Sequence, residues 1–310
     1  MAAIAAGVVA GWMSDRVFGD PAKGHPVAAF GRVASWLERR FWRPNRLVGV
    51  LYAAVLVAGV TAPVVWTNRR LRNRPAARAV LLTAAVWASL GGKSLNRCAR
   101  NLADAVVRGD LEGGRRRAPA LVGRDTSSLD ARELCRAAVE SVAENTADAV
   151  AGPLVWAAVG GAGGAVAYRA VNTLDAMVGH RSERYELFGW AAARLDDVAT
   201  WAPARLAAAL AVLLAPLVRG DRGAAWRALR RNGADHPSPN AGRLEAAFAG
   251  ALGVRLGGAN RYGDRLQVRP FLGHGDMPAP QDVLRAVQLA DAVGLFTMVL
   301  AASFAWWWRP

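Results

Sequence analysis

Residues 47–66, "LVGVLYAAVLVAGVTAPVVW", run for twenty positions without a charge. As a helix such a block rises about 30 Å, the thickness of the hydrocarbon core of a bilayer. A chain carrying it must either bury the whole cylinder in protein or place it in lipid. Five further apolar blocks favour lipid: 1–14, 76–92, 149–168, 198–218 and 286–308. The block at 149–168 is rich in Gly and Ala, which let helices approach closely in a membrane. The last ends in Trp306-Trp307-Trp308, residues suited to the headgroup boundary. The whole sequence is 53% hydrophobic, above the roughly 45–50% of soluble chains, and the excess sits in these blocks. The expected fold is an all-α, polytopic integral membrane protein of the cell membrane. One helical domain over 1–310 is expected, with amphipathic and loop segments forming a polar face. The N-terminus lacks the basic start and processing site of a cleaved signal peptide.

The net charge is +15, almost wholly from Arg, since Lys23 and Lys93 are the only lysines. Arg clusters flank the apolar blocks, as in "ERRFWRPNR" (38–46) and "NRRLRNRP" (68–75). This placement favours membrane topology over nucleic-acid binding. Loops 15–46 and 67–78 flank the same span, however, so a single crossing cannot put both on the cytoplasmic side. Positive charge alone therefore does not fix the topology, and binding of an anionic substrate is a compatible second use. The two cysteines, Cys98 and Cys135, form neither a CxxC pair nor a zinc spacing.

The polar chemistry is gathered in the loops. "GDPAKGHPVAAFGR" (19–32) holds Asp20 and His25 between prolines, either as a rigid turn or as a site at the membrane surface. In "GRDTSSLDARE" (123–133), Asp130 and Glu133 have the spacing of a capping box for the helix that follows. On that helix Glu133, Glu140 and Glu144 lie within about 40° of one another, with Asp148 at the edge of the stripe. Arg136 can reach Glu140 at the i,i+4 spacing; the other acids repel along the helix. Such a stripe is either a solvated face or a place for a cation. Mg²⁺ carried on a phosphate suits it, because that ion takes oxygen ligands. In 168–201, Asn172 and Asp175 stand one turn apart, and Asp196-Asp197 precede an apolar span. His180, Arg181 and Arg184 add donors suited to phosphate or carboxylate. "DHPSPNAGR" (235–243) supplies His236, Asn240 and Arg243 after a proline-bounded turn. "GGKS" (91–94) mimics the end of a phosphate-binding loop, but Trp87 stands where that motif needs Gly, and the segment follows no strand.

Together, "GDP…HPV…FGR", "GRDTSSLD", "AVESVAENTADAVAGPLVW", the 168–206 segment and "HPSPNAGRLEAAFAGALGVRLGG" resemble the CobD/CbiB family of cobalamin biosynthesis, in order from about residue 15 to 263. The resemblance implies an ATP-dependent acid–amine ligase, with Mg²⁺ as cofactor and ATP as co-substrate. It would join adenosylcobyric acid to (R)-1-amino-2-propanol O-phosphate, giving adenosylcobinamide phosphate. Within that reading Glu140, Glu144, Asp148, Asp196 and Asp197 hold the metal, and Glu140 and Glu144 also serve the chemistry. His25 or His236 is the general base. Asp20, Arg124, Asp125, Asn145, Asn172, Asp175, His180, Arg181, Asn240 and Arg243 bind substrate. The expected partners are the corrinoid, the aminopropanol phosphate and the lipid bilayer, with a homo-oligomer or other corrinoid-pathway enzymes as further associations and no nucleic acid. The active face is expected to be cytoplasmic, where the substrates are made. Two rival readings are a Mg²⁺-dependent prenyl or CDP-alcohol transferase and a transporter. The first lacks its repeated acidic signature, and the second lacks a repeated pair of broken helices.

Overall fold

A computed structural model describes residues 2–21, 24–180, 182–262 and 265–308. In chain order its elements are α1 (Ala2–Phe18), α2 (Pro26–Phe41), α3 (Arg46–Arg70), α4 (Pro75–Ser89), α5 (Gly92–Val107), α6 (Leu111–Arg117) and α7 (Ala131–Thr146). There follow α8 (Gly152–Leu174), α9 (Trp190–Ala199), α10 (Trp201–Leu214), α11 (Arg222–Asn232), α12 (Ala241–Leu252), strands β1 (Leu256–Tyr262) and β2 (Arg265–Leu272), and α13 (Pro280–Trp308). The protein is helical, as its apolar blocks require. Four helical segments among the described residues are long and apolar enough to cross a membrane: Arg46–Arg70, Ala131–Gly179, Trp201–Val218 and Pro280–Trp307. It is a polytopic membrane protein. Leu47, Leu51 and Val55 on α3, and Phe296, Val299 and Leu300 on α13, are exposed in the manner of lipid-facing side chains.

The chain divides into two compact units. One comprises Met1–Gly91, Asp148–Pro203 and Thr297–Pro310, the other Gly92–Ala147 and Ala204–Phe296.

In the first unit, small residues set the helix packing. A Cβ at Gly7 would lie 3.0 Å from Leu82, and one at Gly11 would lie 2.6 Å from Val86, so α1 and α4 run side by side in the same direction. The same rule exposes the path of α8. A Cβ at Gly152 would fall 2.1 Å from the Tyr168 ring, and one at Gly164 would fall 2.2 Å from the Trp156 carbonyl. In a straight helix residues 152 and 168 are about 24 Å apart. The two contacts share one midpoint, and there Gly161 adopts φ 66, ψ −150, a conformation open essentially to Gly alone. α8 is therefore a helical hairpin. The block at 149–168, expected to be one span, folds back on itself at Gly161. Its tip packs on α3, where a Cβ at Gly163 would meet Val65 and Thr61. Its base packs near the start of α3, where Tyr52, Ala53 and Leu56 join Leu174, Val178 and Phe188 in one apolar cluster.

In the second unit, Asp130 and Glu133 cap α7 reciprocally, as their spacing predicts. α12 is buried nearly all round, and Gly250 lets it close on Ala225 and Ala228 of α11. β1 and β2 pair antiparallel, with Gly258 opposite Arg269 and Asn260 opposite Gln267. This hairpin falls in a stretch read from sequence as loop. Gly257 and Gly258, at φ 84 and 92, form its irregular start, which blunts the alternation that marks a strand.

Candidate functional site

At the base of the α8 hairpin the first unit gathers polar side chains in an apolar setting. A turn of π-helix carries Asp148 (Ala147–Ala151), and another carries Asp175 (Asp175–Gly179). Such wide turns redirect side chains within a helix and recur at functional sites. Asn172 donates to Asp196 Oδ1 at 3.2 Å and accepts from Arg169 Nη1 at 3.3 Å. Thr200 donates to Asp196 Oδ2 at 3.4 Å and pairs with the Tyr168 hydroxyl at 3.0 Å. Asp148 is in electrostatic reach of both Tyr168 and Arg169, and Asp20 of Arg169. Burial pushes Asp196 up to about 6, against the opposing hydrogen bonds from Asn172 and Thr200. Asp197 instead turns outward to Arg194 at 3.4 Å. Glu38 on α2 accepts from Arg184 Nη2 at 3.0 Å and from the Tyr185 hydroxyl at 2.7 Å, which ties the segment after α8 to α2. His180 lies edge-on to Tyr185 at 4.8 Å; Arg181 lies outside the described residues.

The second unit holds a buried charge network centred on Glu140. Its Oε2 pairs with Arg124 Nη1 at 2.9 Å, and its Oε1 with Arg136 Nη1 at 3.3 Å. Oε1 also accepts the Gly257 N–H at 2.9 Å. Arg136 donates onward to the Gly257 and Ala259 carbonyls, and Arg124 to Asn260. The carboxylate is thus committed to two guanidiniums and the backbone of β1. It is held as an ion-pair acceptor rather than presented as an open metal ligand. Beside it Glu245 is 1% exposed, and neither of its oxygens has a hydrogen-bond partner. Burial, with Glu140 and Glu144 nearby, drives its carboxyl well above the usual range. The second unit also places Arg205 within electrostatic reach of Arg243, with Arg205 donating to Asn240 at 3.2 Å.

Both histidines occupy the same local device. His25 Nδ1 accepts the Val27 N–H at 3.2 Å, and His236 Nδ1 accepts the Ser238 N–H at 3.1 Å. In each case Pro follows His, fixing the turn and leaving the next N–H to be capped. With Nδ1 accepting, the neutral ring carries its proton on Nε2. That atom faces a carboxylate in both, Asp20 at 3.5 Å and Glu245 at 3.7 Å. Burial, with Arg269 close by, holds His236 down to about 4. A neutral ring in this tautomer has its one lone pair occupied, so His236 serves as a base only if the Ser238 bond breaks.

Of the remaining expected residues, Asp125 is exposed and caps the Ser127 N–H at 2.9 Å, and Asn145 donates to the Ser141 carbonyl at 2.9 Å. Among the described residues no group of three or more His, Cys, Asp or Glu is arranged to hold a metal ion. A full protein cage for Mg²⁺ is thus not formed by them. Mg²⁺ bound mainly through phosphate oxygens needs only one or two carboxylates, and Asp148 fits that demand in kind, whereas both oxygens of Asp196 already accept hydrogen bonds. Sequence reasoning missed Glu245, Arg169, Arg205 and Asn260. The signal for Glu245 was present: it is the lone acid in "LEAAFAGAL", a stretch apolar on every face.

A profile of the family described as CobD/Cbib protein matches residues 8–290. Proteins named "Cobalamin biosynthesis protein CobD" are similar along nearly their whole lengths. That of Mycobacterium tuberculosis (strain ATCC 25618 / H37Rv) is 50% identical over 99% of this chain and 97% of its own. That of Geobacter metallireducens is 44% identical over 93% and 92%, and that of Rhodobacter capsulatus 38% over 92% and 90%. No solved structure gives a significant match. With the profile covering most of the sequence and the relatives aligned end to end, the chain belongs to the CobD/Cbib family.

Proposed function

We propose that the protein acts in cobalamin biosynthesis as an ATP-dependent acid–amine ligase, joining adenosylcobyric acid to (R)-1-amino-2-propanol O-phosphate. The observation that carries this beyond family membership is the pair of guanidiniums, Arg205 and Arg243, drawn together beside Asn240. Two guanidiniums within electrostatic reach of each other suit an anion, and a phosphate dianion has the charge and the acceptor oxygens to bind both.

A carboxylate is a poor electrophile and must be activated. In the first step a corrinoid carboxylate oxygen takes the terminal phosphoryl group of ATP, giving an acyl phosphate and ADP. In the second the amine nitrogen bonds to the acyl carbon, the bond to the phosphate oxygen breaks, and inorganic phosphate leaves. The nitrogen's proton needs an acceptor, and Asp196 is suited: ionised at neutral pH, it binds a proton far more readily than an ordinary carboxylate. Asn172 and Thr200 hold its oxygens in place. Mg²⁺ carried on the nucleotide phosphates, with Asp148 as its one carboxylate ligand, would neutralise charge on the transferring phosphoryl group. Arg205, Asn240 and Arg243 bind substrate phosphate. The acidic end of the first unit faces the cytoplasm, where these soluble substrates are made.

The test supplies membranes containing the protein with adenosylcobyric acid, aminopropanol phosphate, ATP and Mg²⁺. Adenosylcobinamide phosphate should form with one ADP and one phosphate released per amide. Arg243→Gln should raise KM for a phosphate-bearing substrate while sparing kcat. Amide formation without ATP consumption, or no product from these substrates, would overturn the proposal.

A further inference from the structure

The C-terminal end of α3 and the start of α4 enclose an open cavity of about 570 Å³ lined by Trp66, Asn68, Arg69, Arg70, Arg72 and Arg78. Among the described residues no carboxylate pairs with any of these four arginines, although the same unit pairs Arg184 and Arg194 with acids. Internal contacts shape the rim instead: Arg78 Nε donates to Asn68 Oδ1 at 3.2 Å, and the Arg70 guanidinium lies 5.1 Å over the Trp66 ring.

Its position separates it from the acidic cluster of the same unit. The cluster lies at the hairpin base, level with Tyr52 to Leu56 of α3, whereas the cavity begins at Trp66, past the hairpin tip at Thr61 and Val65. From Ala53 to Arg69 is about 24 Å along the helix. Topology does not explain the charge either. α3 is a single crossing with Arg39, Arg40 and Arg43 before it and Arg69, Arg70 and Arg72 at its far end. Preference for the cytoplasmic side accounts for one of these sets, not both.

We propose that this cavity binds the phosphate of an anionic phospholipid headgroup. Trp66 is 60% exposed in the last turns of a crossing helix, where an indole sits at headgroup depth. The adjoining guanidiniums point a forked donor set at whatever anion occupies that depth. Basic pockets at the ends of membrane helices recognise acidic lipids by this chemistry. The lipid-exposed setting favours a headgroup over a free phosphate, which shares the same recognition groups.

The test places the full chain in nanodiscs of phosphatidylcholine with phosphatidylglycerol or cardiolipin, and measures the enrichment of each lipid on the purified protein by native mass spectrometry. Wild type should enrich the anionic lipids. Arg69→Gln/Arg70→Gln/Arg72→Gln should lower their apparent affinity on the order of a hundredfold, from roughly fivefold per surface cation. Arg69→Lys/Arg70→Lys/Arg72→Lys should retain most of it, which also guards against a variant that merely misfolds. Arg39→Gln/Arg40→Gln/Arg43→Gln, with the same change in net charge at the other end of α3, should leave it unchanged. Equal enrichment in wild type and the first Gln variant overturns the proposal. So does equal loss in the Arg39/Arg40/Arg43 variant, which would reveal a general charge effect. Displacement of the lipid by inorganic phosphate at matched concentration would assign the cavity to a soluble anion and overturn the lipid.

Discussion

Replacing Glu140 by Gln tests the buried network most directly. Glu140, Arg124 and Arg136 are 5%, 7% and 4% exposed, so water screens the charges little. Gln keeps the shape and can still accept from the Gly257 N–H, but it leaves two guanidiniums without their counter-ion. Removing one partner of a buried ion pair costs about 3–5 kcal/mol, because the surviving charge stays desolvated. For a chain of this size about 2 °C of Tm follows each kcal/mol, so the midpoint should fall by about 6–10 °C. The assay is thermal unfolding of the detergent-purified protein by intrinsic tryptophan fluorescence, with and without Mg²⁺. Glu112→Gln is the control: its pair with Arg115 has a 68% exposed carboxylate, and such pairs contribute about 0–1 kcal/mol. A fall below 2 °C in Glu140→Gln would refute the reasoning. A Tm that holds while Mg²⁺ dependence weakens would assign Glu140 to the metal instead.

His236 predicts a pH effect on stability. Its folded value of about 4 lies below the usual 6.5, so its contribution is present above pH 6.5 and is lost as pH falls towards 4. That difference corresponds to about 3 kcal/mol, and His236→Gln should flatten the stability curve in this window. Glu245 faces it and has the opposite sign: raised in the fold, it stabilises below the ordinary carboxylate range, with the benefit lost as pH rises. Glu245→Gln should therefore stabilise the protein more at pH 8 than at pH 5, measured by the same melts. Gly161→Ala places a Cβ at φ 66, ψ −150 and should cost about 1–3 kcal/mol, with faster protease cleavage near the α8 tip as a second reading. Asp196→Asn should lower kcat by about 10²–10⁴, and the wild-type rate should fall as pH drops through about 6, a limb the variant lacks.

The sequence alone determined the solvent in which this protein folds. Twenty uncharged residues at 47–66 have few other destinations, and that logic is local and additive. It also determined the start of α7, because Asp130 and Glu133 cap each other across three residues, and it paired Arg136 with Glu140 across one helical turn. Long motifs such as "AVESVAENTADAVAGPLVW" carried the family. Tertiary structure alone decided what each polar side chain faces. Hydropathy counts the apolar residues of 149–168 and is blind to the φ 66 turn at Gly161 that folds the helix back on itself. The acidic stripe looked uniform on a helical wheel. In the fold Glu140 meets two guanidiniums brought by a loop and its own helix, and Asp148 sits on a π turn beside Arg169. Glu245 was passed over because its importance lies in having no local partner. That condition is set by helices and strands far away in sequence, whose packing excludes water from a carboxyl that no donor hydrogen-bonds.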